Sequence, residues 1–333
     1  MENFVCNDAC LNNWPSIPIG PSYHKINVRG NNLQSIPSMP LHKVRKIDAR
    51  NNYLVSLTSA WPAGLEMLYL DKNNLEDRAF DGTFPSTLKE LSLDKNCLTK
   101  VPTRLPDGLE LFSASFCYIT NISSLPHGLT HLYLQGNSLQ EIPDLSGLTQ
   151  LEILSLDSNM IERLGPLPPT LEKLFLSNNK LKEFPALPVK LQRLEICQNH
   201  IRRIPSQLPL TLTVLLADNN HIDDVRIHVP PRLCFLSLNE NWLTKTPVLE
   251  GSYRRTEVII HMHRNFVGDE FEWHQIKIAR LRQRLMLTRF IRSIARCRRI
   301  RDELFTVAMH PNRLGQFEDL PSAWFSNRQS LST

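Results

Sequence analysis

Histidines and cysteines are the residues whose types and spacing come closest to chemistry. His261 and His263 alternate and His274 follows, a pattern that offers imidazole nitrogens to a metal. Structural metal sites take about four such donors. No acidic or cysteine cluster completes this one, so the histidines are expected on the surface of a terminal strand. Cys6 and Cys10 are close in the sequence but have no second pair nearby, and are expected to be structural filler. No phosphate-cradling G-x-x-x-x-G-K, nucleophile elbow or zinc-protease helix motif is present. Glycines number only 12 in 333 residues, which leaves little for phosphate loops. The expectation is a non-enzyme with neither cofactor nor metal, whose chemistry is recognition.

The residues suited to recognition are large side chains placed where a core does not need them: Met67, Tyr69, Leu111, His131, Tyr133, Ile153, Phe175, Leu216 and Phe235. What would position them is a repeated stretch, clearest in Leu171-Glu-Lys-Leu-Phe-Leu-Ser-Asn-Asn-Lys-Leu181, or L-x-x-L-x-L-x-x-N-x-L. Its asparagine returns at Asn31, Asn52, Asn73, Asn96, Asn137, Asn159, Asn179, Asn199, Asn220 and Asn241, with Cys117 in that place once. The steps run from 20 to 23 residues, a period that signals a leucine-rich repeat solenoid. In each L-x-L core the side chains alternate between faces. Leu174 and Leu176 are expected inside, and Lys173, Phe175 and Ser177 on the concave face of a parallel sheet.

The asparagine follows where the chain leaves the strand. Its amide has donors and an acceptor for backbone groups stranded at the bend, and each such group left unpaired would cost about 1–3 kcal/mol. Cys117 does this weakly, so a softer coil is expected there. The other half of each coil carries prolines, as in Ile36-Pro37, Val101-Pro102 and Ile204-Pro205, then again before the next strand, as in Leu105-Pro106 and Leu187-Pro188. They exclude a convex helix and favour extended, polyproline-like backbone.

Residues 1–22 are expected to form a capping coil. There Leu11-Asn-Asn-Trp-Pro-Ser-Ile-Pro18 aligns with Gly30–Pro37, which puts Asn12 in the ladder place and Trp14 in the following leucine place; Phe4 and Trp14 are the candidate shields. The solenoid is expected over 23–268. Its last coil is an eroded one on which Tyr253, Thr256, Val258 and His261 fit.

Residues 269–325 change character. Ile278, Leu281 and Leu285, then Leu287, Ile291 and Ile294, recur at helical spacing. Between Lys277 and Arg301 there are ten basic residues and no acidic one. A basic α-helical cap is expected, carrying Arg280, Arg284, Arg289, Arg292, Arg296 and Arg299, with a disordered tail over 326–333. The formal charge of +5 belongs to residues 269–333, with 12 Lys+Arg against 7 Asp+Glu; the other 26 of each sign cancel. That helix could simply close the solenoid, or could meet an acidic protein, nucleic acid or an acidic membrane surface. On the concave face, one column starts basic at Arg29 and Arg50 and turns acidic at Asp71, Asp94, Asp157 and Asp218, either orienting a partner or forming a solvated rim.

Seven scattered cysteines, no basic-then-apolar start and no apolar run of about 18 residues are expected of an intracellular chain that is neither secreted through a signal peptide nor transmembrane. The repeat and proline pattern resembles the short repeats of bacterial type III-secreted effectors of the Yersinia outer protein M group, and repeat proteins of large DNA viruses of amoebae. Ala308-Met-His-Pro-Asn-Arg313 also resembles C-terminal segments of amoebal giant-virus proteins. The resemblance covers about 220 residues and is specific for the repeat subtype rather than for function. Some bacterial relatives carry a ubiquitin-ligase domain after the repeats; with Cys297 the one cysteine beyond them here, that activity is not carried over. The leading expectation is a non-catalytic scaffold binding a protein on the concave face. The alternatives are a structural protein, for instance of a virus particle, whose basic helix contacts an acidic surface, and an adaptor for ubiquitin machinery.

Overall fold

A computed structural model describes residues 2–16, 23–38, 43–58, 60–80, 82, 84–250 and 258–266. The cap, its six arginines and the tail lie outside the described residues. In chain order the strands are β1 (Glu2–Val5), β2 (Tyr23–Asn27), β3 (Lys46–Asp48), β4 (Met67–Tyr69), β5 (Glu90–Ser92), β6 (Leu111–Ser113), β7 (His131–Tyr133), β8 (Glu141–Ile142), β9 (Ile153–Ser155), β10 (Arg163–Leu164), β11 (Lys173–Phe175), β12 (Arg193–Glu195), β13 (Val214–Leu216), β14 (Arg226–His228), β15 (Phe235–Ser237), β16 (Val248–Glu250) and β17 (Ile259–His261). Thirteen of them form one sheet in the order β1-β2-β3-β4-β5-β6-β7-β9-β11-β12-β13-β15-β17, one strand per coil, each parallel to the last. The repeat is what makes this possible. In each three-residue strand the middle side chain faces inward, and stacking the coils joins those side chains into one core. Ile47, Leu68, Leu91, Phe112, Leu132, Leu154, Leu174, Leu194, Leu215 and Leu236 are all fully buried, each worth about 1.5–3 kcal/mol.

The asparagine ladder is built as expected. In the coil of Asn179, Nδ2 donates to the carbonyls of Leu156 (3.0 Å) and Leu176 (3.1 Å), while Oδ1 accepts from Ile161 N (2.9 Å). Each amide thus joins its own coil to the one before it. The residue ahead of every ladder position turns left-handed, with φ near +55° at Asn51, Lys72, Ser158 and Asn178. This sharp reversal swings the chain off the strand, and only a packed surrounding holds non-glycine residues there. At Cys117 the thiol makes long contacts to the carbonyls of Leu93 (3.5 Å) and Ser115 (3.8 Å), and burial pushes its pKa up to about 11.

The two ends of the solenoid differ from the sequence reading. Register pairs Val5 with Asn27, so Ala9, not Asn12, stands opposite Asn31. Asn31 Oδ1 accepts from Ala9 N and Leu11 N, which makes Leu11, not Trp14, the following leucine. The frame is shifted by three, and Ala9 stands where the other coils carry the amide. At the other end Tyr253 and Thr256 lie outside the described residues, and the described part of the last coil, residues 258–266, follows the regular pattern. Ile260 and Met262 are inside, His261 faces out, and Asn265 is a further ladder amide, accepting from Leu243 N at 3.0 Å and donating to Leu238 O at 2.9 Å.

The convex side is extended, in keeping with its prolines. Two small parallel pairs, β8 with β10 and β14 with β16, run along it. Among the described residues the one helix is a single 3-10 turn, Asp77–Phe80. It takes up the longest step between the asparagines expected from sequence, Asn73 to Asn96, and Phe80 and Phe84 pack there with Trp61. No helix of the described residues is long and apolar enough to cross a membrane.

Candidate functional site

Each strand of the main sheet turns two side chains to the concave face and continues into a third, which gives three columns. The first runs Lys25, Lys46, Met67, Glu90, Leu111, His131, Ile153, Lys173, Arg193, Val214, Phe235, Ile259, as the register pairs them. The second is centred on Asp48, Tyr69, Tyr133, Phe175, Glu195, Leu216 and His261. The third holds Arg29, Arg50 and the acidic series.

The structure brings the sequence-chosen residues onto this one face. Met67, Leu111, His131, Tyr133, Phe175, Leu216 and Phe235 are half-buried there. Tyr69 and Ile153 are buried, at 6% and 5% exposure, and present less surface than expected. Tyr69 donates its hydroxyl to Glu90 Oε2 at 2.5 Å, and the Lys46 ammonium lies 4.3 Å from its ring centre. Burial and the hydrogen bond to Glu90 hold the phenol well above its usual pKa. The His131 and Tyr133 rings lie 6.3 Å apart, and Phe235 meets His261 edge-to-face at 4.9 Å. Burial, then His263, lowers the pKa of His261, so the imidazole is neutral at neutral pH. Among the described residues no group of three or more metal-ligating side chains converges.

The acidic column has a role that sequence reasoning missed. Its side chains form a second ladder. Asp71 Oδ1 accepts from Asp94 N at 2.9 Å, and Asp94 Oδ1 from Ser115 N at 2.8 Å. Asp157 Oδ1 accepts from Ser177 N at 2.6 Å, Ser177 Oγ from Cys197 N at 3.2 Å, Asp218 Oδ1 from Asn239 N at 2.7 Å and Asn239 Oδ1 from His263 N at 2.8 Å. These N–H groups point back towards the previous coil where its chain is already turning away, so a short side-chain acceptor takes the place of a carbonyl. The signal was present as a recurrent Asp, Ser or Asn at 71, 94, 115, 157, 177, 218 and 239, interrupted by Gln135 and Cys197. The ladder lapses at Gln135, whose buried Oε1 finds no partner among the described residues. Burial and the nearby Glu195 carboxylate push the Asp157 pKa up to about 8. The column is thus chiefly a frame that keeps the strands in place.

Comparisons with known proteins agree with this geometry. A family model described as Leucine Rich repeats (2 copies) matches residues 127–169. Fibromodulin from Oryctolagus cuniculus is 36% identical over 194 residues, which is 57% of this chain and 92% of the relative. The chain belongs to the leucine-rich repeat family. YopM from Yersinia enterocolitica WA-314 has the same fold, with a TM-score of 0.57 at 23% identity; the match covers 79% of this chain and just under two thirds, 64%, of that one. A chain of the octameric complex of Latrophilin 3, Unc5D and FLRT2 (LRR) aligns with a TM-score of 0.52 at 28% identity, covering 66% of this chain and 74% of that chain. Leucine-rich repeat proteins commonly act by binding other proteins, as FLRT2 does within that octameric complex. For a leucine-rich repeat protein the concave sheet is a rigid surface that needs no rearrangement to present its side chains.

Proposed function

We propose that this protein is a non-catalytic scaffold that binds another protein on its concave face. The observation that carries the reading is the set of half-buried Tyr133, Phe175, Leu216 and Phe235 on β7, β11, β13 and β15 of one sheet face, where the core does not require them. Aromatic and apolar anchors on a preformed surface contribute most of the affinity at protein interfaces, and two hydrogen-bond ladders keep the ordering cost of binding low. All six described cysteines are free thiols, which supports a reducing, intracellular setting. The division at residues 22, 268 and 325 and the basic character of the arginine-rich segment belong to the same proposal, in which partner choice rests with the sheet.

The test is capture of the partner by full-length protein and by the Tyr133→Asp, Phe175→Asp double variant, with circular dichroism confirming that both are folded. Loss of the partner with the fold intact is expected. Equal recovery by the two proteins would remove the concave face from consideration.

A further inference from the structure

The first concave coils carry a charge arrangement that the frame does not use. Lys25 and Lys46 are register partners on β2 and β3, about 4.8 Å apart at their backbones, on the same face. Like charges set opposite each other destabilise a sheet, yet neither lysine has a carboxylate partner among the ion pairs of the described residues, and nor does Arg29. The nearest acids are engaged elsewhere. Asp48 holds Arg50 in a buried two-point pair, at 2.6 Å to one guanidinium nitrogen and 2.8 Å to Nε. Glu90 accepts the Tyr69 hydroxyl, and Asp71 takes Ser92 Oγ and Asp94 N. On the other flank β1 sets Asn3 opposite Lys25 and Val5 opposite Asn27. The Lys46 ammonium is held 4.3 Å from the Tyr69 ring centre, and its pKa is lowered by burial and then by Lys25. The result is a close pair of cations, Lys25 and Lys46, with the Tyr69 ring beside Lys46 and Arg29 four residues on from Lys25 on the same concave face.

We infer that the coils of β2 and β3 receive an acidic peptide segment of the protein partner, its carboxylates set between Lys25, Lys46 and Arg29. This deepens the scaffold reading and rests on it. A carboxylate there relieves the repulsion between the lysines, so binding gains what the empty fold gives up. Charge matching of this kind fixes register and speeds encounter. It places the acidic part of the partner at the β2–β3 end and the apolar part over Tyr133 to Phe235.

The test titrates full-length protein with a fluorescent glutamate-rich peptide, and in parallel with a single-stranded oligonucleotide of equal charge. Because residues 277–301 are also basic, the readout is the difference between variants. Lys25→Gln with Lys46→Gln is expected to weaken peptide binding about five- to tenfold and to flatten its salt dependence. The charge-matched pair Lys182→Gln with Lys190→Gln, on exposed positions elsewhere, is expected to leave it unchanged. Lys25→Gln alone is expected to keep or raise Tm, which a structural lysine would not do. Equal affinity in both double variants, a fall in Tm for Lys25→Gln, or oligonucleotide binding that is as tight and as sensitive to Lys25 and Lys46 each overturns the inference. If Tyr133→Asp with Phe175→Asp loses the partner while the lysine variants do not weaken the peptide, the scaffold reading stands and this inference alone falls.

Discussion

The ladder amide of Asn179 allows the most direct test of what holds the coils together. Asn179→Ala removes the side-chain acceptor of the buried Ile161 N–H, at 2.9 Å, and withdraws one donor each from Leu156 O and Leu176 O. Those carbonyls are not orphaned. Asn159 still donates to Leu156 O at 3.0 Å and Asn199 to Leu176 O at 2.9 Å. The loss is therefore one stranded donor, about 1–3 kcal/mol, plus roughly 0.5 kcal/mol for each weakened carbonyl, or about 3 kcal/mol in all. The reverse change is available at Cys117, where Sγ reaches Leu93 O only at 3.5 Å. Cys117→Asn restores the amide and is expected to stabilise by about 1 kcal/mol. Urea unfolding followed by tryptophan fluorescence measures both changes. Amide exchange at Ile161 localises the first, since each coil touches only its neighbours. A loss below about 1 kcal/mol for Asn179→Ala, with Ile161 still protected as in the parent, would refute the ladder as the source of cohesion.

Three further outcomes follow from the structure. Asp157, raised to about 8 against an ordinary value near 4, holds a proton in the native state that the unfolded chain loses between those values, so stability is complete below about pH 4 and falls as pH rises through about 8. Asp157→Asn, which keeps an acceptor for Ser177 N, is expected to gain on the parent from pH 5 to pH 9 in thermal melts, and a constant difference would contradict the assignment. Gly136 has φ +69° and lies against the Phe116 ring, so Gly136→Ala is expected to cost about 2 kcal/mol in urea unfolding, with part recovered by adding Phe116→Ala. Truncation after Gly268 is expected to leave partner capture unchanged, and loss of the partner would move recognition to the arginine-rich segment.

Much of the fold is legible in residue order because the solenoid uses local rules. A coil of 20 to 23 residues packs only on its neighbours, so the period, the alternation of L-x-L and the prolines near residues 36–40 and 204–209 specify strand, ladder and extended convex backbone without any long-range information. Residue order misleads at both ends, where an Asn-Asn pair at 12–13 imitates the motif and Ile260-His-Met-His-Arg-Asn265 reads as an eroded coil.

Residue types alone thus indicated which side chains of the regular coils face inward and, away from the two ends, which amides bridge the coils. Only the tertiary structure decided what the outward charges do, because that depends on register between strands about 21 residues apart in the chain. Stacking turned the aspartates into acceptors for the next coil's N–H groups. It left Lys25 beside Lys46, because side chains on neighbouring strands meet wherever the coils align, whatever their separation in sequence.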